Sequence, residues 1–122
     1  MSDKTTVQHA SFNTMPVEAL NPLIDRQMVY GEQSMLARII LRKGAVVPRH
    51  SHANEQITYI LEGALRFTLD DRRVLTVRAG ETLVIPSNVP HQAEAIEDTV
   101  DLDVFCPPRA DWIDKTDAYL RR

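Results

Sequence analysis

Short stretches of alternating apolar and polar residues cover most of the chain. The run from Met35 to Leu41 is rich in branched side chains, and the run from Leu65 to Leu69 alternates residue by residue. Because successive side chains of a β-strand point to opposite faces, this pattern is typical of strands with one buried face. Further strands are predicted at residues 23–30, 57–61, 74–77, 83–85, 93–96 and 100–106. Turn-forming residues recur about every eight to twelve positions, and the sequence therefore predicts an all-β sandwich or barrel.

Two of the predicted turns contain glycine. Lys43-Gly44 follows the strand at residues 35–41, and Glu62-Gly63 separates residues 57–61 from residues 65–69. Glycine reaches positive φ without strain, so we predict a tight hairpin at Glu62-Gly63.

After Pro107-Pro108, the spacing of the apolar residues changes from that of a strand to that of a helix. One stripe of a short helix would hold Trp112, Ile113, Thr116, Tyr119 and Leu120. Asp111 is the predicted N-cap, and Trp112 is predicted to pack on the barrel. We therefore divide the chain into an N-terminal arm (1–20), a single β-barrel domain (21–108) and a C-terminal helix packed on the barrel (109–122).

Length and composition narrow the range of partners. A chain of 122 residues is long enough for one domain with its own core. The net charge of −3 comes without a basic cluster, which argues against nucleic acid and anionic membranes as partners. The sequence has neither a signal-peptide pattern nor an apolar run that could span a bilayer. Its single cysteine, Cys106, excludes an internal disulfide, so we expect a cytoplasmic protein.

Two of the four histidines stand one residue apart in a run that otherwise has the pattern of a strand. His50 and His52 would then share a face, with their Cα atoms roughly 7 Å apart, which lets both imidazoles bind one metal ion. Residues 53–55 are predicted to bend the chain, so strand periodicity does not place Gln56.

The residues around this histidine pair resemble a known family. The chain resembles the cupin superfamily over about residues 35–108, through the motifs Gly44-x5-His50-x-His52-x3-Gln56-x6-Gly63 and Gly80-x5-Pro86-x4-His91. The resemblance implies a single-domain jelly-roll barrel, also called a double-stranded β-helix, that binds a divalent metal ion. The implied metal ligands are His50, His52, Gln56 and His91, and this set does not distinguish nickel, manganese, iron and zinc.

The sequence departs from the cupin motifs at three positions. Gln56 stands where glutamate is usual, and Asn88 and Ala95 stand where glycine and asparagine are common. Asparagine tolerates the left-handed conformation that glycine would supply, so the change at Asn88 costs little. With Gln56, four neutral ligands would leave the 2+ charge of the ion uncompensated, which favours Lewis-acid chemistry over redox cycling.

The predicted strand at residues 100–106 places Asp101, Asp103 and Phe105 on one face. This face could be exposed to solvent, as acidic strand faces usually are, or it could line the metal cavity. In the second case Asp103 would act as a proton shuttle, and Arg109 could hold a substrate carboxylate through two hydrogen bonds. The sequence alone leaves both interpretations open.

A second, narrower resemblance concerns the end of this strand. The segment Asp103-x-Phe105-Cys106-Pro107-Pro108-Arg109 is similar to the small KdgF-type cupins of pectin degradation. Those proteins convert 4,5-unsaturated monouronates to linear keto acids, and the resemblance implies catalytic roles for Asp103, Phe105 and Arg109. It also implies a small-molecule substrate with a carboxylate. Since single-domain cupins dimerise through edge strands, the resemblance further implies a homodimer, formed through Met35 to Leu41 or through the N-terminal arm.

Three functions remain open at this point. The first is a Lewis-acid metalloenzyme that acts on a small sugar acid, with isomerase or lyase chemistry. The second is a metal-dependent dioxygenase or another isomerase. The third is a non-catalytic cupin that binds a small ligand. The complete ligand set and the resemblance favour the first function.

Overall fold

The computed structural model describes residues 4–122, and about half of these residues lie in ten β-strands. The strands are β1 (Glu18–Asn21), β2 (Ile24–Tyr30), β3 (Met35–Leu41), β4 (Val46–His50), β5 (Glu55–Glu62), β6 (Ala64–Leu69), β7 (Val74–Arg78), β8 (Thr82–Ile85), β9 (His91–Ala95) and β10 (Thr99–Cys106). One helical turn, α1 (Ala110–Ile113), and a 3₁₀ turn at Ala118–Leu120 follow them. Within residues 4–122, neither helix is long and apolar enough to cross a membrane.

The strands form two antiparallel sheets that enclose one core. The larger sheet has the order β1-β2-β3-β10-β5-β8, and the smaller one has the order β4-β9-β6-β7. Strand β3 shows why the sheets pack together, because every second residue from Met35 to Leu41 is buried while those between are half-buried. This alternation gives each sheet one apolar face. The predicted all-β jelly-roll architecture is confirmed.

The predicted hairpin at Glu62-Gly63 is wrong. Strand β5 pairs with β10 and β8 in the larger sheet, whereas β6 pairs with β7 and β9 in the smaller one. Gly63 therefore lies at a corner where the chain passes from one sheet to the other. Its φ is +86°, and a Cβ atom at this position would overlap the carbonyl oxygen of Asp98. Only glycine meets both the conformational and the steric requirement here.

We expect Gly63→Ala to lower the free energy of unfolding by about 2–5 kcal/mol, because the alanine adds both backbone strain and a backbone clash. Gly80→Ala is the matched control, since Gly80 has a φ of +84° but no atom of the described residues within 4 Å of the added Cβ. The control should lose only the strain contribution, about 1–2 kcal/mol. Urea denaturation measures both losses. Equal losses in the two variants would show that the corner relaxes around the new methyl group.

The strand proposed for dimer contacts is not at an edge. Met35 to Leu41 forms β3, which pairs with β2 on one side and with β10 on the other. The sheet edges are β1 and β8 in the larger sheet, and β4 and β7 in the smaller one. An edge-to-edge dimer through residues 35–41 is therefore excluded, because their backbone groups are already paired. The homodimer itself stays a prediction.

The segment predicted as an N-terminal arm contains a strand. Its first three residues lie outside the described part of the chain, and residues 4–17 hold no strand. Strand β1 begins at Glu18, inside the predicted arm. The amide of Gln27 fixes the preceding segment by donating to the carbonyl oxygens of Phe12 and Met15, each at 2.8 Å.

The C-terminal helix is present but shorter than its apolar stripe indicated. It ends at Ile113, and Lys115 then takes a left-handed conformation with a φ of 58°. Asp111 lies inside this turn, and the N-cap position is taken by Arg109. Trp112 is buried as predicted.

A buried ionic network fixes the C-terminal segment on the barrel. The Arg26 guanidinium contacts Asp117 at 2.8 Å and Glu18 at 3.0 Å, and it lies 4.5 Å from the ring centre of Trp112. Arg121 contacts the same two carboxylates, each at 2.9 Å. The predicted Asp117–Arg121 pair is thus part of a larger network. Because Arg26 and Asp117 are both buried, their ion pair holds residues 114–121 on the barrel, and these residues do not continue the helix.

Candidate metal centre

The two sheets meet at one end of the barrel around three histidines. His50 ends β4 and pairs directly with His91, the first residue of β9. His52 lies beyond the end of β4, in the bend that leads to β5 in the other sheet. The ligand nitrogens of the three rings lie within 4.8 Å of one another. The structure therefore brings the three histidines together, although the bend, and not strand alternation, places His52.

The three imidazoles share one hydrogen-bond pattern. Each Nδ1 lies 2.8–3.0 Å from a backbone carbonyl oxygen two residues away. The pairs are His50 with Pro48, His52 with Asn54, and His91 with Val89. A carbonyl oxygen can only accept, so Nδ1 carries the proton and Nε2 keeps its lone pair. Such second hydrogen bonds hold metal-binding histidines in the correct tautomer and orientation.

Gln56 presents its carbonyl oxygen to this cluster. Its amide nitrogen donates to Thr58 Oγ1 at 2.9 Å and lies 3.5 Å from Asp103 Oδ1, which fixes the orientation of the amide. Gln56 Oε1 then lies 3.0 Å from Nε2 of His52. In the tautomer described above, both atoms are acceptors, so neither donates to the other.

Two acceptors in contact are what a metal site requires. Ligand atoms about 2.1 Å from an ion, at right angles to each other, lie about 3.0 Å apart. Nε2 of His91 is buried and has no hydrogen-bond partner anywhere in residues 4–122. These side chains therefore fit a divalent cation.

Burial keeps the imidazoles neutral. It lowers the pKa of His50 and of His52 to about 4 each, and the nearby positive charge of Arg109 acts in the same direction. Burial also lowers the pKa of His91. Neutral imidazole is the form that binds metal ions, so at neutral pH protons do not compete for these ligands.

We expect metal affinity to change by less than about twofold between pH 5.5 and pH 8, because His50 and His52 stay neutral over that range. A lowered pKa means that protons displace the metal only as the pH approaches about 4. Two histidines with the ordinary pKa would each be about 90% protonated at pH 5.5, which would cost about 100-fold in affinity. Equilibrium dialysis against Ni²⁺ at several pH values measures this. A 100-fold loss by pH 5.5 would contradict the expectation.

The acidic face of β10 points into the barrel. Asp101 and Asp103 are each 4% exposed and Phe105 is 1% exposed, so the solvent-facing interpretation is wrong. Thr58 donates to Asp103 Oδ1 at 2.6 Å. Burial raises the pKa of Asp103, and it raises that of Asp101 well above its usual range, with a further contribution from the Asp103 charge. In the described residues, Asp101 Oδ1 has no hydrogen-bond partner.

Arg109 lies beside the centre, but most of its donors are already used. Nε and Nη2 contact the two carboxylate oxygens of Asp111 at 3.0 Å and 2.8 Å. The guanidinium carbon lies 5.1 Å from the ring centre of Phe105 and 4.6 Å from that of Trp112. The edge of the guanidinium formed by Nε and Nη2 is therefore occupied by Asp111. Nη1 is buried and is the one guanidinium nitrogen without a partner within residues 4–122.

Two residues at the centre were missed by the sequence analysis. The Tyr119 ring stacks on His50, with ring centres 4.6 Å apart and planes 28° apart. Its position depends on how the C-terminal segment folds over the barrel, and no local pattern indicates this. Thr58 follows Gln56 by two residues on β5 and therefore shares its inward face. Strand alternation could have identified Thr58.

A cavity of about 40 Å³ adjoins the histidines. One water molecule needs about 10–15 Å³ of such a volume, so the cavity has room for a few ordered waters or for part of a small ligand. Its polar lining is formed by His50, Gln56, His91, Asp101, Asp103, Arg109 and Tyr119, and core side chains form the rest. The metal-binding cluster thus opens onto a mostly apolar cavity with few polar groups, as small-molecule sites typically do.

Comparisons with known proteins agree with this architecture. The family model described as "Cupin domain" matches residues 37–107. An uncharacterized protein of Methanocaldococcus jannaschii is 34% identical over 88 residues, which are 71% of this chain and 69% of that protein. The structure of KdgF from Halomonas sp. is similar with a TM-score of 0.82 and 26% identity, over 88% of this chain and 99% of that one. An RmlC-like cupin from Shewanella frigidimarina has a TM-score of 0.81 and 25% identity, over 88% and 96% of the two chains.

Proposed function

This chain belongs to the cupin domain family, and on that premise we propose that it is a metal-dependent enzyme that acts on a small sugar acid. More specifically, we propose that it converts 4,5-unsaturated monouronates to linear keto acids. The observation that carries this proposal is the neutral His-His-His-Gln cluster, which opens onto a cavity lined by Arg109, whose buried Nη1 has no partner within residues 4–122. The substrate class rests on the resemblance of residues 103–109 to KdgF-type cupins, and the similarity to the Halomonas KdgF structure supports it.

In this proposal, His50, His52, His91 and Gln56 hold one divalent ion. When bound, the ion supplies a Lewis acid that polarises a substrate oxygen. The three carbonyl contacts at Nδ1 hold the imidazoles in the binding tautomer, and Thr58 holds the Gln56 amide with its oxygen inward. All four side chains are neutral, so none of them offsets the charge of the ion.

Asp103 is the proposed proton shuttle. Its carboxyl lies within hydrogen-bond distance of both Thr58 and the Gln56 amide, so it is next to the metal ligands without being one of them. Burial raises its pKa, which brings it closer to the pH at which a carboxyl can both accept and return a proton.

Phe105 and Arg109 are proposed to position the substrate. The Phe105 ring meets His52 edge-on at 5.6 Å and Trp112 at 4.9 Å, so it excludes water from this side of the cavity. The free Nη1 of Arg109 is the proposed contact for the substrate carboxylate.

The test combines metal analysis with an activity assay. The protein is purified without added metal, its metal content is measured by mass spectrometry, and it is then incubated with unsaturated monogalacturonate. About one equivalent of metal, with loss of the ultraviolet absorbance of the ring alkene that a chelator stops and added metal restores, is the expected result. Bound metal without alkene loss would remove this substrate. Oxygen uptake would then indicate the dioxygenase alternative, and tight ligand binding without turnover would indicate the non-catalytic one.

A further inference from the structure

The phenol of Tyr119 has one hydrogen atom left to donate. Its oxygen accepts from Arg109 Nη2 at 2.6 Å and from the indole nitrogen of Trp112 at 3.2 Å. A phenol has two acceptor positions and a single O–H donor, so both acceptor positions are in use. Within residues 4–122, the Tyr119 hydroxyl donates no hydrogen bond to a protein acceptor. Tyr119 lines the metal cavity, so the cavity is where the donor can be satisfied.

Arg109 also has hydrogen-bond donors without an acceptor in the described residues, at Nη1. Asp111 takes Nε and one hydrogen of Nη2, and Tyr119 takes the other hydrogen of Nη2. Nη1 is left with two hydrogens and, in the described chain, no acceptor, although the side chain is only 3% exposed. A buried charged donor without a partner is costly, and this indicates a site that is completed by a ligand.

The two free donors are adjacent and rigidly held. Nη1 shares its carbon atom with Nη2, which is itself 2.6 Å from the Tyr119 oxygen. The guanidinium packs against both the Phe105 ring and the Trp112 ring, and the Tyr119 ring is held by stacking on His50. Little conformational entropy would therefore be lost when a ligand binds both donors.

We propose that Tyr119 and Arg109 Nη1 together form a two-donor carboxylate site beside the metal centre, with Tyr119 as a substrate-binding residue that determines specificity. One carboxylate oxygen accepts from Nη1 and the other accepts from the Tyr119 hydroxyl, while another part of the substrate reaches the histidine cluster. Asp111 already offsets much of the charge of Arg109, so the neutral O–H is needed to complete the recognition. The choice of a uronate as the ligand rests on the proposed function, whereas the requirement for a carboxylate rests on the two donors.

The test compares an anionic and a neutral form of one sugar. Binding of galacturonate and of its methyl ester to metal-loaded protein is measured by calorimetry for the wild type, for Tyr119→Phe and for Tyr59→Phe. Tyr59 is the matched control, because it is 40% exposed on the outer face of β5. We expect Tyr119→Phe to weaken galacturonate binding by about 10–100-fold, as for loss of a hydrogen bond to a charged group, and to leave methyl ester binding unchanged. Tyr59→Phe should change neither.

The outcomes separate this inference from the proposed function. A wild type that binds galacturonate no better than the methyl ester would overturn the carboxylate site, whatever the activity of the protein. Equal losses for both ligands in Tyr119→Phe would overturn the role of Tyr119, because a merely structural change affects both. A protein that shows the expected binding but does not convert unsaturated uronates would remove the proposed function and leave the site standing.

A second measurement does not depend on the folding of a variant. The chain has three tyrosines, so fluorotyrosine labelling introduces one fluorine label at each of three positions. Galacturonate is expected to shift the Tyr119 signal, assigned by its proximity to the bound metal, and the methyl ester is expected to leave it in place. A Tyr119 signal that responds to neither ligand, or equally to both, would overturn the inference.

Discussion

His50→Ala and His52→Ala are each expected to lose metal affinity by more than about 100-fold and to abolish turnover, while the protein remains folded. Changes to groups that only support a metal ligand already cost about 10–100-fold, so removal of a ligand should cost more. The fold should survive because the core consists of aliphatic and aromatic side chains from both sheets and does not include these rings. Metal content, chelator competition and the alkene assay measure the loss.

The control for these variants is His9→Ala. His9 is exposed and lies in the segment before β1, far along the chain from the cluster, so its replacement should change neither metal content nor turnover. Circular dichroism and thermal unfolding of the metal-free proteins test the fold. If His50→Ala or His52→Ala does not fold, the metal has a structural role, and the proposed division between core and centre is wrong.

The sequence predicts the architecture well because strand burial is a local property. In β10, residue type alone is misleading, because the structure buries Asp101 and Asp103 and exposes Val104. In β6, by contrast, the burial pattern follows directly from residue type, because the apolar residues from Leu65 to Leu69 are buried and the polar ones between them are not. The positive φ of Asn88, 65°, likewise follows from the conformational tolerance of asparagine. Local preferences of this kind can be predicted without knowing which strands are neighbours.

The errors arise where distant segments meet. Glu62-Gly63 has the composition of a hairpin, but β5 and β6 pair with strands of different sheets, which makes this turn a corner. The C-terminal stripe predicts a longer helix, but the pairing of Asp117 with Arg26, 91 residues earlier, competes with helical geometry. In both cases, tertiary contacts outweigh local propensity.

In the candidate site, too, local sequence patterns are predictable and contacts between side chains are not. The spacing of His50 and His52 suggests a shared metal ion, and the resemblance to the cupin motifs implies His91 and Gln56 as the other ligands. The roles of the side chains around them depend on contacts that spacing does not reveal. The sequence suggests that Arg109 could hold a carboxylate, but it does not reveal that Asp111, only two residues away, occupies the Nε and Nη2 edge of the guanidinium. Tyr119 was placed in a packing stripe, yet it stacks on His50 from a segment 69 residues later.

Asp103→Asn is expected to keep the metal and to lower turnover by about 10²–10⁴-fold, the usual contribution of a general acid or base. Asparagine has the same shape and keeps an acceptor oxygen for Thr58 and the Gln56 amide, so the Gln56 carbonyl oxygen should still face the histidines. The variant removes only the ability to take up and release a proton. Metal content measured beside turnover separates the two effects.

Asp101→Asn is the matched control, because Asp101 lies on the same strand and is equally buried, and its carboxyl interacts with that of Asp103 but is not bonded to Gln56 or Thr58. If Asp103 alone moves the proton, Asp101→Asn should retain turnover within about tenfold of the wild type. Equal losses in the two variants would mean that the carboxyl pair acts as a unit. Full turnover in Asp103→Asn would show that the proton takes another route. A solvent-facing Asp103 could not explain that result, because the residue is buried.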